Sequence, residues 1–417
     1  MNGSATRSAL APASFFGMVM VLALAGYSLL ARFTSLPATP IAAPAVLAGQ
    51  LCVAIYRDGG LEFLALDPRT LADRHDRPAL RIPDLTYGQF TWTASADGST
   101  IAVMQYSGAL STAEDVTIRI VDAPSGAERL RFRTPVPVEM QYLTADGSRL
   151  FAWGPAYRPE PQRRFVWDTA DGRLLADVPT QGFLLGAYDA SGRRAYGLAA
   201  PGLEDVGPRD ATLVAQDALS GRTLGRVRLA GVMMSERVSP RMAVSADGRR
   251  VVVLHADGMA LTLVDAPTLR VLWTRLLSRA PGVADRSPPR PPGGQAPEET
   301  VWFLQLAPDG RYLYADGIER WPIDAGPSSP RLLGPWAIDL ERAEVVADGS
   351  GGQDLEPFVL APDGSALYTL SPPEGAPLFS RATVLRRLDP RTLAVTAERD
   401  FAGVSPLWLV HLAERQP

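Results

Sequence analysis

Two short motifs alternate along this chain from residue 51 almost to its end. The first is an apolar run, a small residue or proline, Asp-Gly or Ser-Gly, and a second apolar run. It stands at Ala96-Asp97-Gly98, Ala145-Asp146-Gly147, Ala190-Ser191-Gly192, Ala246-Asp247-Gly248, Pro308-Asp309-Gly310 and Pro362-Asp363-Gly364, with successive glycines 45 to 62 residues apart. The second is an apolar run ending in Asp, followed by a short turn. It begins at Asp67, Asp122, Asp168, Asp217, Asp265, Asp339 and Asp389. Self-similarity at such a period marks a repeat architecture, in which each repeat is one supersecondary unit that buries its apolar face only against its neighbours.

Each motif is chemically a hairpin. Flanking runs such as Arg250–His255 and Ala260–Asp265 are short and rich in β-branched residues, which suits strands. Glycine after Asp supplies the positive φ of a tight reversal. In the second motif the Asp side chain can accept hydrogen bonds from the backbone of the turn that follows. Each repeat therefore holds four strands: one before Asp-Gly, one after it, one ending in Asp, and one beyond that turn. Repeated four-stranded units of about 50 residues indicate a β-propeller. Beyond residue 31 no sustained 3.6-residue periodicity supports a helical solenoid.

The first motif occurs six times and the second seven, and the mismatch is informative. Before Asp67 the chain supplies only Leu51–Tyr56, the turn Arg57-Asp58-Gly59-Gly60, and Leu61–Asp67. At the other end, apolar residues 406–412 have no partner after them. If the last strand completes the first repeat, the ring closes and no sheet edge is left open. The expected fold is all-β: a seven-bladed β-propeller of four-stranded antiparallel blades over residues 51–417, closed by strand 406–412 and preceded by one N-terminal hydrophobic helix. The 367 residues from 51 to 417, divided by seven, give about 52 per blade.

Ala361-Pro362-Asp363-Gly364 and Val121-Asp122-Ala-Pro-Ser-Gly126 resemble the blade signatures of the bacterial YVTN and WD40-like seven-bladed propeller families. The resemblance covers about residues 51–417 and implies a fold rather than an activity, because those families include lactonases, amine dehydrogenase heavy subunits and many proteins with no known activity. The tandem Gly-His and Trp-Asp signatures of eukaryotic WD40 proteins are absent. Related calcium-dependent lactonases use an asparagine in the metal site, whereas the only asparagine here is Asn2. Pyrroloquinoline-quinone propellers place a Trp shortly after the Asp turn, a pattern met once, at Asp265–Trp273.

Residues 15–31 (FFGMVMVLALAGYSLLA) carry no charge and follow Arg7 and the α-amino group. Their length is at the lower end for a membrane-spanning helix and slightly long for a signal-peptide core. The expected organisation is a cytoplasmic tail over 1–14, a transmembrane anchor or signal segment over 15–31, and a Pro/Ala-rich linker over 32–50. The basic N-terminus favours the cytoplasmic side, so the propeller faces outward. It is either tethered to a bacterial membrane or, after cleavage, periplasmic or secreted. All 41 basic residues are arginine, which reads as the codon bias of a GC-rich genome. Net charge is −4 with no basic block, which argues against nucleic-acid binding. The proline-rich stretch 280–297 reads as an exposed loop or partner-binding segment.

No G-x-S-x-G, P-loop, dinucleotide fingerprint, H-E-x-x-H or C-x-x-C-H occurs. Cys52 lies in an apolar strand and reads as a small hydrophobe. The three histidines, His75, His255 and His411, are scattered. Propeller ligands sit at the central channel, at loops leading into the innermost strands, which should be those preceding each Asp-Gly. There lie Glu139, Glu236, Arg237, Arg241, Glu299 and Glu356. A ring of such carboxylates could hold Ca²⁺, and an acid–Arg pair could steer a polar ligand. Solvated rim charges and local ion pairs are the competing account. No other cofactor is implied. The functional expectation is an extracytoplasmic, membrane-anchored scaffold that binds a protein partner or small ligand at the channel mouth. The alternative is an extracytoplasmic propeller enzyme, a lactonase-like hydrolase or an amine-dehydrogenase-like subunit.

Overall fold

A computed structural model describes residues 51–411, except 75–79, 96, 108–115, 124, 135, 155–162, 180–185, 200–206, 235–239, 285–298, 321–330, 350–357, 372–383 and 402–405. Every described residue lies within one compact unit, Pro37–Pro417. The expected tail, helix and linker over 1–50 lie outside the described residues.

The described strands form seven sheets. The first blade contains β1 (Leu51–Arg57), β2 (Gly60–Leu66) and β3 (Leu80–Ile82), and the last strand of the chain completes it. The second contains β4 (Phe90–Ala94), β5 (Thr100–Tyr106), β6 (Val116–Asp122) and β7 (Glu128–Arg133). The third contains β8 (Glu139–Leu143), β9 (Arg149–Gly154), β10 (Arg163–Asp168) and β11 (Leu174–Pro179). In the fourth, β12 (Gly186–Tyr188) and β13 (Arg194–Ala199) precede the long pair β14 (Gly207–Asp217) and β15 (Thr223–Met234). The fifth contains β16 (Arg241–Val244), β17 (Arg250–Leu254), β18 (Ala260–Asp265) and β19 (Arg270–Leu276). The short β20 (Ser278–Arg279) leads to the sixth blade, β21 (Glu299–Leu306), β22 (Tyr312–Arg320), β23 (Arg331–Asp339) and β24 (Glu344–Asp348). The seventh contains β25 (Val359–Leu360), β26 (Leu367–Ser371), β27 (Val384–Leu388) and β28 (Val395–Asp400), and β29 (Pro406–His411) returns to the first blade.

The turns obey the chemistry of the two motifs. Gly98, Gly147, Gly192, Gly248, Gly310 and Gly364 all adopt positive φ in the hairpin between the first two strands of their blades. In the second motif every Asp accepts hydrogen bonds from its own turn: Asp67 from the N–H groups of Arg69 and Thr70, Asp122 from Ser125, Asp168 from Ala170, Asp217 from Ser220, Asp265 from Thr268, Asp339 from Glu341, and Asp389 from Arg391 and Thr392. The fourth residue after each Asp is left-handed: Leu71, Gly126, Gly172, Gly221, Leu269, Ala343 and Leu393. In six blades the register slips between the second and first residues before this Asp, a β-bulge that adds twist to the outer pair.

Two observations close the ring. β29 lies antiparallel to β1, with Leu51 opposite His411, Cys52 opposite Val410 and Val53 opposite Leu409. The described core also divides into seven apolar clusters, each spanning one seam between adjacent blades. A linear stack of seven blades would have six seams. The seventh packs Leu51, Val53, Ile55, Leu66 and Leu71 of the first blade against Tyr368, Leu370, Leu385 and Phe401 of the last. Fully burying one such side chain contributes about 1.5–3 kcal/mol.

One expectation needs correction. The sixth sheet has five strands, because β20 pairs parallel to the outer edge of β24, Ser278 opposite Glu344 and Arg279 opposite Val345. Past β19 the chain crosses to the next blade, where Ser278 N–H donates to the Ala343 carbonyl and Ala280 N–H to that of Val345. An otherwise free sheet edge is thereby covered.

Candidate ligand-binding face

The innermost strands are those that precede each Asp-Gly or Ser-Gly motif, as the sequence pattern requires, together with β29. Neighbouring innermost strands approach each other around the axis, β4 beside β8, β12 beside β16, β16 beside β21 and β25 beside β29. Strand direction then sorts the connections onto two faces. Both hairpin motifs fall on the face where the innermost strands end, called here the turn face. The connections from second to third strands, and from each blade to the next, fall on the opposite mouth face. Turn-face connections keep nearly one length (95–99, 144–148, 189–193, 245–249, 307–311), with 67–79 as the long exception. Mouth-face connections vary widely, from 58–59 between β1 and β2 to 321–330 and 372–383.

The candidate residues sort as follows. Glu139 opens β8, Arg241 opens β16 and Glu299 opens β21, so three innermost strands begin with a charged residue at the mouth. Glu139 is half-buried and Arg241 is buried. Glu236, Arg237 and Glu356 lie outside the described residues. Among the described residues no group of three or more His, Cys, Asp or Glu could hold a metal ion. His255 is buried, its Nε2 3.1 Å from the Thr262 hydroxyl, and burial holds its pKa below the ordinary histidine value. Trp273 lies on the outermost strand of its blade with the Arg275 guanidinium over its ring.

Two features of this region extend beyond the candidate residues. On the mouth face Tyr87 is 48% exposed and packs against Tyr56, ring centroids 5.4 Å apart. Tyr56 also stacks on Phe90 at the start of β4 and donates from its hydroxyl to the Leu85 carbonyl. In the third blade, Glu139, Trp153 and Arg164 are direct cross-strand neighbours on β8, β9 and β10, so one sheet face presents an acid, an indole and a guanidinium in a row. The sequence carried a signal for the last: strand alternation puts Arg164 on the same face as apolar Val166.

No family profile matches this chain, and no curated protein sequence matches it. Solved structures do. Kuenenia stuttgartiensis hydrazine synthase is 15% identical over 71% of this chain and 75% of its own, with a TM-score of 0.40. The β-propeller domain of Myceliophteria thermophila Cps50 (Swd1) is 12% identical over 76% of this chain and 88% of its own, with a TM-score of 0.43. The dihydro-heme d1 dehydrogenase NirN, in complex with DHE, is 13% identical over 88% of this chain and 66% of its own, with a TM-score of 0.45. Identities this low concern architecture alone, and the seven-bladed ring rests on the strand pairings and seams above. That ring is consistent, at the level of fold, with the YVTN and WD40-like propellers.

Proposed function

We propose that this chain is a membrane-tethered binding propeller displayed outside the cytoplasm, whose mouth face receives a protein partner or a small polar ligand. The observation that carries the reading is the inequality of the two faces. The turn face is built from one repeated, self-satisfied hairpin chemistry. The mouth face gathers the connections of unequal length, the exposed Tyr87 and the charged residues that open β8, β16 and β21. Function collects on loops carried by a rigid scaffold, and such loops tolerate change that a repeated turn does not. The apolar segment 15–31, behind Arg7, supplies the tether.

A photo-reactive residue placed at Tyr87 on the mouth face should give a discrete cross-linked adduct in membranes of the source cells. The same residue placed at exposed Arg222, in the turn after β14, should not. Equal adducts from both positions, or adducts from Arg222 alone, would refute the mouth reading. Carbonate extraction tests the tether separately: the whole chain should stay with the membrane pellet, and a chain beginning at Pro37 should be released.

A further inference from the structure

Arg164, on β10, is only 3% exposed and lies inside the seam between the third and fourth blades. A guanidinium stays charged at any physiological pH, and a buried charge without a counter-charge is strongly unfavourable. Among the described residues no carboxylate pairs with it. Its Nη2 donates to the Asp217 carbonyl at 3.4 Å, and its charge pulls the nearby Tyr188 phenol toward ionisation. Its Nε–H is buried without an acceptor.

Tyr188, on β12, is short of an acceptor in the same place. Its oxygen receives the indole N–H of Trp153 at 3.1 Å. A phenol is also a donor, and its O–H meets no hydrogen-bond acceptor among the described residues. Tyr142 stacks on it, centroids 5.3 Å apart and rings within 7° of parallel, but turns its hydroxyl to the Ala190 carbonyl at 2.9 Å. Burial raises the Tyr188 pKa above the ordinary phenol value, against the opposing pull of Arg164, and so keeps the donor proton in place. The seam thus gathers donors and one positive charge. The walls toward the seam are apolar (Phe151, Val166, Ala176, Val178 and Ala218), and Glu139 lies two strands away from Arg164 in the same cross-strand row.

We propose that this seam is an anion site, holding one small monatomic anion of chloride's class between the Nε–H of Arg164 and the O–H of Tyr188. The apolar walls offer no further donors to a multi-oxygen anion, whereas two donors and a guanidinium charge suit a halide. The anion supplies the missing counter-charge and joins β10 of one blade to β12 of the next. This inference does not depend on the mouth-face reading.

The test is thermal unfolding of the purified chain in sodium chloride and in sodium gluconate at equal ionic strength. Chloride should raise the melting temperature by roughly 2 °C for each tenfold increase above its dissociation constant, and gluconate should not. Arg164→Met and Tyr188→Phe should each remove the chloride-specific rise. Should Arg164→Met fail to fold, Tyr188→Phe still decides the matter. Crystals soaked in bromide should show an anomalous peak within hydrogen-bond distance of both groups. Equal melting in the two salts, a chloride response that survives Tyr188→Phe, or the red-shifted absorption of tyrosinate at neutral pH would overturn the proposal. The last would mean that Tyr188 itself neutralises Arg164.

Discussion

Asp217 accepts the backbone N–H of Ser220 and its hydroxyl, each at 2.7 Å, and the same geometry recurs at Asp67 and Asp389 with threonine in place of serine. Backbone hydrogen bonding, from Ser220, Thr70 and Thr392 respectively, leads the causes that hold these three carboxyls below the usual Asp value. A carboxyl lowered in the folded state contributes its stability in full above the unfolded pKa and loses it as the pH falls through the folded one. Asp217→Ala should therefore cost about 1 kcal/mol at neutral pH by urea unfolding, and the gap to the wild type should close below about pH 4. A gap that persisted in strong acid would mean that the side chain acts by packing and not by charge. The left-handed residue of the turn shows a second trade. Leu71 and Leu393 adopt a conformation that costs a side-chain-bearing residue about 1–2 kcal/mol, yet both are buried in seams where leucine recovers that cost. At Gly221 no such choice exists, because a Cβ there would collide with Val178 of the neighbouring blade.

At the scale of elements, the sequence pattern announced every full-length strand through its flanking turn, because turn chemistry is local. β20 could not be read that way. Two residues carry no periodicity, and what holds them is distant in sequence: Arg279 donates to the buried carboxylate of Asp348 at 2.5 Å and lies over the Trp336 ring at 5.5 Å. The row of Glu139, Trp153 and Arg164 was half legible for the same reason. Glu139 stands out at the start of an innermost strand, but its neighbours become neighbours only through sheet register. β20 gives a direct expectation. Arg279→Met strips a charge-assisted bond from a carboxylate that is 1% exposed; because the Arg279 side chain is itself 27% exposed, the cost falls below the fully buried-pair range, at about 1–3 kcal/mol. Asp348 should then open the strap, seen as faster amide hydrogen exchange at Ser278, Ala280 and Val345, with exchange in β17 unchanged. Uniform acceleration across the molecule would show that the strap is inseparable from global unfolding.

The whole ring depends on a seam that no local motif encodes. Six hairpin motifs against seven Asp turns implied that the chain ends share a blade, and the register bears this out residue by residue, Cys52 facing Val410 across β1 and β29. The seam is reinforced by contacts 300 or more residues apart in sequence: the Tyr368 hydroxyl donates to the Pro68 carbonyl at 2.8 Å, and Arg399 donates to the Leu71 carbonyl at 2.8 Å and pairs with Asp73 at 2.9 Å. Facing residues of an antiparallel pair lie within the Cα separation that a disulfide spans. Val410→Cys should accordingly bond to Cys52 and lock the ring. Cys52 is fully buried, and burial pushes its thiol well above the usual cysteine value. The thiolate is the reactive form, so the bond should form during oxidative refolding and resist formation in the folded protein. Because the loop it closes is nearly the whole propeller, the gain should be about 2–4 kcal/mol over the reduced form. It would be read as a higher unfolding midpoint and a faster-migrating band on non-reducing gels. Leu409→Cys, one residue out of register, should cross-link poorly, since successive strand residues point to opposite sheet faces. If Leu409→Cys cross-linked as well as Val410→Cys, or if neither did, the strand that closes the ring would not be the one beside Cys52.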